Sequence, residues 1–243
     1  VYQHTLSVTR NISIKVVYSL PETRLFVSTN LDGAYDLSKV VVRQDTNDDS
    51  ILDTIVIDEY GGYAVSTGRE VYISLSATGE NAIEFGYRLV GYSFTIGDST
   101  NTIVTDSQEY MYTVRTEDIH YVVINFEEIE FRFTVEQSGA GLDGQLVDFA
   151  GQDYKTVTVN DRTIEFDMPT GYYVAEVSFV NNGEYPYQNM AKTNDYQDSI
   201  YTYTFAKTND TDELINIINT YGIDMTDYVS VRIKVVYYIH TYN

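Results

Sequence analysis

The stretch Val229-Ser230-Val231-Arg232-Ile233-Lys234-Val235-Val236-Tyr237-Tyr238-Ile239 decides the fold class. Val229, Val231, Ile233, Val235, Tyr237 and Ile239 fall on one side of an extended chain; Ser230, Arg232, Lys234, Val236 and Tyr238 fall on the other. Such alternation marks a strand with one buried face, because successive side chains of an extended backbone point to opposite sides. The beginning of the chain repeats the pattern. From Tyr2 to Tyr18 the even positions read Tyr2, His4, Leu6, Val8, Arg10, Ile12, Ile14, Val16 and Tyr18, and only Arg10 breaks the apolar row. At about 3.3 Å per residue this run spans roughly 55 Å, whereas an ordinary strand has about five or six residues. The two runs also share a string, Ile14-Lys15-Val16-Val17-Tyr18 against Ile233-Lys234-Val235-Val236-Tyr237, which suggests that they occupy similar grooves.

Working inward, period-two alternation continues through most of the chain, so the fold class is all-β. Strands are expected at 24–29, 38–43, 51–58, 62–67, 70–77, 82–95 and 102–115, then at 119–135, 144–149, 154–159, 162–168, 171–180 and 199–206. The pattern restarts at Ile129, Phe131, Phe133 and Val135, which places a domain boundary near Glu127 and Glu128. The expected organisation is an arm at 1–18, one β-sandwich at 19–126 and a second at 127–243. Helical spacing occurs once, at Asp212 to Tyr221, where Leu214, Ile215, Ile217 and Ile218 form one apolar face. Thr211 is positioned to cap its start and Gly222 its end.

A chain of 243 residues with 43% hydrophobic content can bury two ordinary cores. Its net charge of −21 repels phosphate backbones and anionic headgroups, so nucleic acid and membrane surfaces are not expected partners. The absence of cysteine removes disulfides, thiol catalysis and thiolate metal sites. No apolar run approaches the roughly 18 residues of a spanning helix. The start at Val1 fits a chain from which an export signal has been removed, and the Tyr- and Thr-rich, Lys-poor usage suits an extracellular protein. Asn11-Ile12-Ser13 and Asn209-Asp210-Thr211 are N-glycan acceptor sequences in a glycosylating host, with Asn11 and Asn209 as the acceptors.

The strongest chemical motif is Asp45-Thr46-Asn47-Asp48-Asp49-Ser50-Ile51-Leu52-Asp53. Asp45, Asn47, Asp49 and Asp53 stand at positions 1, 3, 5 and 9 of a loop, the spacing that brings hard oxygens onto one Ca²⁺. Ser50 replaces the turn glycine and Val56 stands where a bidentate Glu closes the full loop, so the alternatives are a structural calcium site and an acidic turn. Gly139-Ala140-Gly141-Leu142-Asp143-Gly144 spells GxGxxG, yet the residues after it read as a strand and offer no helix N-terminus for a pyrophosphate; a Gly-rich turn is the expectation. His4, His120 and His240 have no partners at metal-ligand spacing and are expected at the surface or core edge. Glu127, Glu128 and Glu130 could supply a glycosidase pair, but in a chain with 36 acidic residues solvent-facing carboxylates are the commoner explanation. No enzyme is expected. The pairs Tyr110 with Tyr112, Tyr185 with Tyr187 and Tyr201 with Tyr203 could form exposed stripes for sugar rings or a neighbouring subunit, or simple cross-strand pairs. Lys15, Lys155 and Lys234 lie in strands, where an isopeptide link would need a buried Lys, an Asn or Asp and a carboxylate together.

The segment Ile164-Glu165-Phe166-Asp167-Met168-Pro169-Thr170-Gly171-Tyr172-Tyr173-Val174 resembles the strand-Pro-x-Gly-x-Tyr-strand corner of transthyretin-like sandwich modules. Two such sandwiches with a long terminal strand are similar to fimbrillin-type (type V) and other donor-strand pilins. The resemblance implies a pilus-like filament subunit, a homopolymer assembled head to tail when an extension fills a neighbour's incomplete sheet, without a cofactor. The favoured donor face is Leu6, Val8, Ile12, Ile14 and Val16; the alternative donor is Val229, Val231, Ile233, Val235, Tyr237 and Ile239. Docking six apolar side chains would contribute on the order of 10 to 15 kcal/mol before ordering costs. A monomeric surface adhesin or carbohydrate-binding module is the competing reading.

Overall fold

The computed structural model describes residues 20–76, 83–180, 199–208, 212–221 and 228–239. Among them the first half of the chain forms β1 (Glu22–Thr29), β2 (Val41–Gln44), β3 (Asp53–Ile55), β4 (Tyr63–Ser66), β5 (Glu70–Ser74), β6 (Tyr87–Ile96), β7 (Ser99–Val104), β8 (Glu109–Thr113) and β9 (His120–Glu128). The second half forms β10 (Glu130–Ser138), β11 (Lys155–Val157), β12 (Thr163–Asp167), β13 (Tyr172–Val180), β14 (Ile200–Thr204), helix α1 (Glu213–Tyr221) and β15 (Tyr228–Ile239). The class is all-β, with two packed pairs of sheets.

In the first half, a five-stranded sheet ordered β4-β1-β9-β6-β7 packs on a four-stranded sheet ordered β3-β2-β5-β8. The shared core holds Leu25, Val42, Val71, Ile73, Tyr92 and Ile124, all fully buried. The β1–β9 pairing is parallel, with Leu25 opposite His120 and Thr29 opposite Ile124, while the other pairings of these two sheets are antiparallel. In the second half, a four-stranded sheet ordered β11-β10-β15-β13 faces the two-stranded sheet β12-β14 and α1. Phe131, Phe133, Val135, Val229 and Val235 from the larger sheet meet Ile164, Tyr201 and Leu214.

The run expected as one strand at 119–135 is two strands belonging to different sandwiches. The inward phase flips between them: His120, Val122, Ile124 and Phe126 are buried on β9, and Phe131, Phe133 and Val135 on β10. The junction is tight. Ile129 donates its N–H to the Gly86 carbonyl at 2.7 Å, and Gly86, at φ +88, lies so close to Val159 that an added Cβ would stand 1.9 Å from its Cγ1. Only glycine meets both conditions.

The strand expected at 144–149 is reduced to the bridge Glu136↔Leu146, with Gln137 N–H donating to the Gln145 carbonyl and Val147 N–H to the Val135 carbonyl. Turns crowd it from both ends, since Gly139, Ala140, Gly141 and Gly144 all have positive φ, as do Ala150 and Gly151. The GxGxxG segment is therefore the expected Gly-rich turn, closed by Asp143, whose Oδ1 accepts from Ser138 Oγ and Gly139 N–H at 2.9 Å each. Pro169 to Tyr172 also turns as its sequence suggests, the Tyr172 N–H reaching the Pro169 carbonyl at 3.1 Å, and this corner carries the chain from the smaller sheet to the larger.

The helix begins where its apolar periodicity begins. Its cap is Asp212, whose Oδ1 accepts the N–H groups of Leu214 (2.9 Å) and Ile215 (3.4 Å); Thr211 and Gly222 lie outside the described residues. The long C-terminal ladder, β15, is an interior strand of its own domain. It pairs in parallel with β10 and antiparallel with β13. Val229, Val231, Ile233, Val235 and Tyr237, the alternative donor set, are buried there, while Ile239 at its end is 61% exposed. The favoured donor arm, with Leu6, Val8, Ile12, Ile14 and Val16, lies outside the described residues, as do Asn11 and Asn209.

Candidate functional site

The second sandwich carries a groove of about 750 Å³ between β11 and β12, which among the described residues both stand at sheet edges. Phe149 and Phe166 line it and belong to, or pack on, the domain core, their rings 6.4 Å apart edge to face. Thr163, Glu165 and Asp167, the outward side chains of β12, form one wall, with Asp148 and Asp161 nearby. Lys155 is the one cation among the lining residues, 3.9 Å from Asp161. Among the described residues strand β12 pairs with β14 alone, so the other half of its amide and carbonyl groups faces the groove.

This small sheet is pinned by an ion pair that sequence reasoning missed. Arg162, just before β12, donates from Nη2 to Asp212 Oδ1 (2.6 Å) and from Nη1 to Asp212 Oδ2 (3.1 Å). It also donates from Nε to the Phe205 carbonyl at 2.8 Å, just after β14. The side chains are 10% and 6% exposed, so this is a buried pair. Burial works to raise the Asp212 carboxyl, but Arg162 and the capped helix amides outweigh it and hold it below its ordinary value.

The 45–53 loop is held by its own hydrogen bonds. Asp45 accepts from the N–H groups of Asn47 (3.2 Å), Asp48 (2.8 Å) and Ser50 (2.9 Å). Asn47 Oδ1 accepts from Asp49 N–H, Asp49 Oδ1 from Ile51 N–H, and Asp53 Oδ2 from Thr46. Arg69 brings its guanidinium against Asp45 at 3.3 Å and Asp48 at 2.7 Å. Partial desolvation raises the Asp45 carboxyl, and the loop amides with Arg69 lower it further, for a net fall. Among the described residues no three carboxylate or imidazole groups stand together in a way that could hold a metal.

The remaining candidates disperse. Glu127 pairs with Arg88, Glu128 accepts from Asn160 at 2.5 Å, and Glu130 pairs with Arg132 at 2.9 Å. His120 faces the core rather than the surface, 1% exposed, with Nδ1 3.4 Å from Tyr112 Oη and Nε2 3.4 Å from the Thr116 carbonyl. Desolvation lowers its pKa below the ordinary imidazole value, partly offset by the Thr116 contact. His4 and His240 lie outside the described residues. Two of the tyrosine pairs turn inward: Tyr110 and Tyr112 pack on Phe94, and Tyr201 is buried against Phe166. Tyr185 and Tyr187 lie outside the described residues. One outward aromatic feature is Arg132, whose guanidinium lies 3.8 Å from the Tyr228 ring centre and 4.9 Å from that of Tyr154. Lys155 is 36% exposed and Lys234 faces outward, so neither has the burial an isopeptide link requires; Lys15 lies outside the described residues. A cleft of about 710 Å³ opens between the sandwiches, bordered by Tyr35, Phe85 and Tyr87 with Asp36, Glu84 and Lys207.

No family model matches this chain, and no curated protein matches it. Two of the solved structures that resemble it are the pilus adhesin SpaC from Lactobacillus rhamnosus GG in an open conformation and the Bacillus anthracis TIE protein. The first is 13% identical over 91% of this chain and 32% of its own, with a TM-score of 0.28. The second is 6% identical over 90% of this chain and 50% of its own, with a TM-score of 0.19. The chain thus spans a third to a half of these neighbours, and scores this low carry no argument about function. Among the described residues no helix is long and apolar enough to cross a membrane.

Proposed function

We propose that this chain is a structural subunit of an extracellular pilus-like filament, assembled when residues 1–18 of one copy add a strand to another, with no catalytic role. The observation that carries the reading is the placement of β15. Of the two long amphipathic ladders, the C-terminal one is occupied between β10 and β13, with five apolar side chains inside its own core. In this reading the N-terminal ladder is the donor. Physically, an amphipathic strand and a sheet edge above an apolar groove satisfy each other at once, through ladder hydrogen bonds and alternate side chains. A contact of this kind joins different surfaces and stays open-ended, so it builds filaments rather than closed rings. The 45–53 segment enters this reading as an acidic turn braced by Arg69, without calcium. The resemblance of Ile164 to Val174 to the corner of transthyretin-like modules supports the same assignment.

The adhesin or carbohydrate-binding alternative draws support from the cleft between the sandwiches, where tyrosine rings and carboxylates stand together as sugar recognition requires. Negative-stain microscopy with size-exclusion chromatography separates the two. Filaments or SDS-resistant oligomers that vanish on deletion of residues 1–12 are expected. A well-behaved monomer with an intact N-terminus would refute assembly and direct attention to glycan binding at the cleft.

A further inference from the structure

We propose that the groove between β11 and β12 is the acceptor for residues 1–19 of a second copy of this chain, laid along the free edge of β12; the inference rests on the donor-arm reading above. Three observations converge on it.

Charge is the first. The chain carries 36 acidic residues, yet the first is Glu22; residues 1–19 contain Arg10 and Lys15 and no carboxylate side chain. The groove has the opposite character, with Asp148, Asp161, Glu165 and Asp167 set against Lys155. A basic, amphipathic strand in an otherwise acidic chain matches an acidic groove with an aromatic floor, and like-charged segments of the same chain are repelled from it.

The shape of the sandwich is the second. Among the described residues, sheet β12-β14 has two strands and faces a sheet of four. A strand added to β12 would extend the smaller sheet beside Phe149 and Phe166, placing one face of the arm over these rings. In an antiparallel or parallel ladder the other face, with Ser13 and Lys15, would then project beside Glu165 and Asp167.

Direction is the third. Strand β1 runs parallel to β9, and Thr23 Oγ1 reaches the Asp118 carbonyl at 2.5 Å, so Leu20 and Pro21 lie at the pole where β9 begins. The groove starts at the other end of β9, because the turn between β11 and β12 places Asn160 on Glu128 and Val159 on Gly86. These points are separated by roughly 30 Å, the length of β9 and its approach. Leu20, the first described residue, and the groove therefore occupy opposite poles of the chain, an arrangement that suits copies stacked head to tail.

The chain has no cysteine, so introduced thiols report contact without background. Full-length chain carrying Ser13→Cys is mixed with differently tagged chain carrying Glu165→Cys, and in parallel with chain carrying Met111→Cys on the free edge of β8. Disulfide formation requires close, aligned Cβ atoms, so mild oxidation should yield the Ser13–Glu165 heterodimer at least about tenfold over the Ser13–Met111 control. Glu165→Lys with Thr163→Cys as the reporter should lower the yield, and Lys15→Glu in the donor should restore it. Oligomers that cross-link through Met111 and not through β12 would overturn the acceptor while leaving the donor-arm reading intact. Closure of a doubly substituted single chain on itself would overturn the second copy as occupant. No assembly and no cross-link at either edge would remove the donor-arm reading and this proposal together.

Discussion

Loss of the Arg162 side chain should destabilise the second sandwich severely, and the size of the effect follows from its surroundings. In Arg162→Ala the Asp212 carboxylate, 6% exposed, loses its counter-charge and both hydrogen bonds from the guanidinium. Removing one partner of a buried pair typically costs about 3–5 kcal/mol, because the remaining charge is neither solvated nor paired. The Phe205 carbonyl loses its Arg162 donor as well. Asp212→Asn keeps a competent helix cap, so its cost isolates the charge, whereas Asp212→Ala adds about 1 kcal/mol for the cap itself. The effects of Arg162→Ala and Asp212→Asn should be strongly non-additive, the double variant falling short of the sum by about 2–3 kcal/mol. Urea unfolding followed by tyrosine fluorescence and circular dichroism measures each value, since the chain lacks tryptophan. The pair also sets an acid limit. Asp212 titrates below its unfolded value near 3.8, so its contribution is present above that pH and is lost as pH falls through the lower folded value. Single-variant losses below about 1 kcal/mol, or simple additivity, would refute a buried, mutually dependent pair.

Two further outcomes are expected. Calcium at millimolar concentration should leave the melting temperature unchanged relative to EDTA, and Asp45→Ala should lower it in both; a calcium-dependent rise abolished by Asp45→Ala would identify a metal site. His120 is held neutral in the fold with a pKa below 6.5, so stability should fall as pH drops from about 6.5 toward that lower value, because the unfolded chain takes up the proton first. His120→Asn should flatten this slope in thermal melts across that range, and an unchanged slope would refute the assignment.

The sequence carried the class and most strand positions because a half-buried strand writes its burial into every second residue. The phase of burial switches between Phe126 and Phe131, where the apolar pattern of the sequence restarts. Periodicity does not say whose sheet a strand joins: Val229 to Tyr237 read equally well as a donor and as the interior strand they form. Nor does it survive dense turns, which is why residues 144–149 alternate like a strand but make one bridge. The acidic loop was visible by its spacing, whereas Arg69, which claims Asp45 and Asp48, lies beyond any motif window. The groove was likewise out of reach, because it depends on β11 and β12 ending in different sheets across a short turn. Tyr110 and Tyr112 looked like an exposed stripe only because alternation does not declare which face is inward.

The parallel pairing of β10 with β15 also sets the order of events as the chain is made. Glu130 lies opposite Tyr228 and Ser138 opposite Val236, so the central ladder of the second sandwich joins residues almost a hundred positions apart. By contrast, the first sandwich has all its described strands once β9 is complete at Glu128. Contacts this distant in sequence form slowly and only after intervening chain has been ordered. The N-terminal sandwich should therefore fold while the rest is still emerging, and β10 should wait as an open, apolar edge until residue 239 is available. During that interval the nascent chain is most exposed to capture by a chaperone, or to mispairing with another copy's strand.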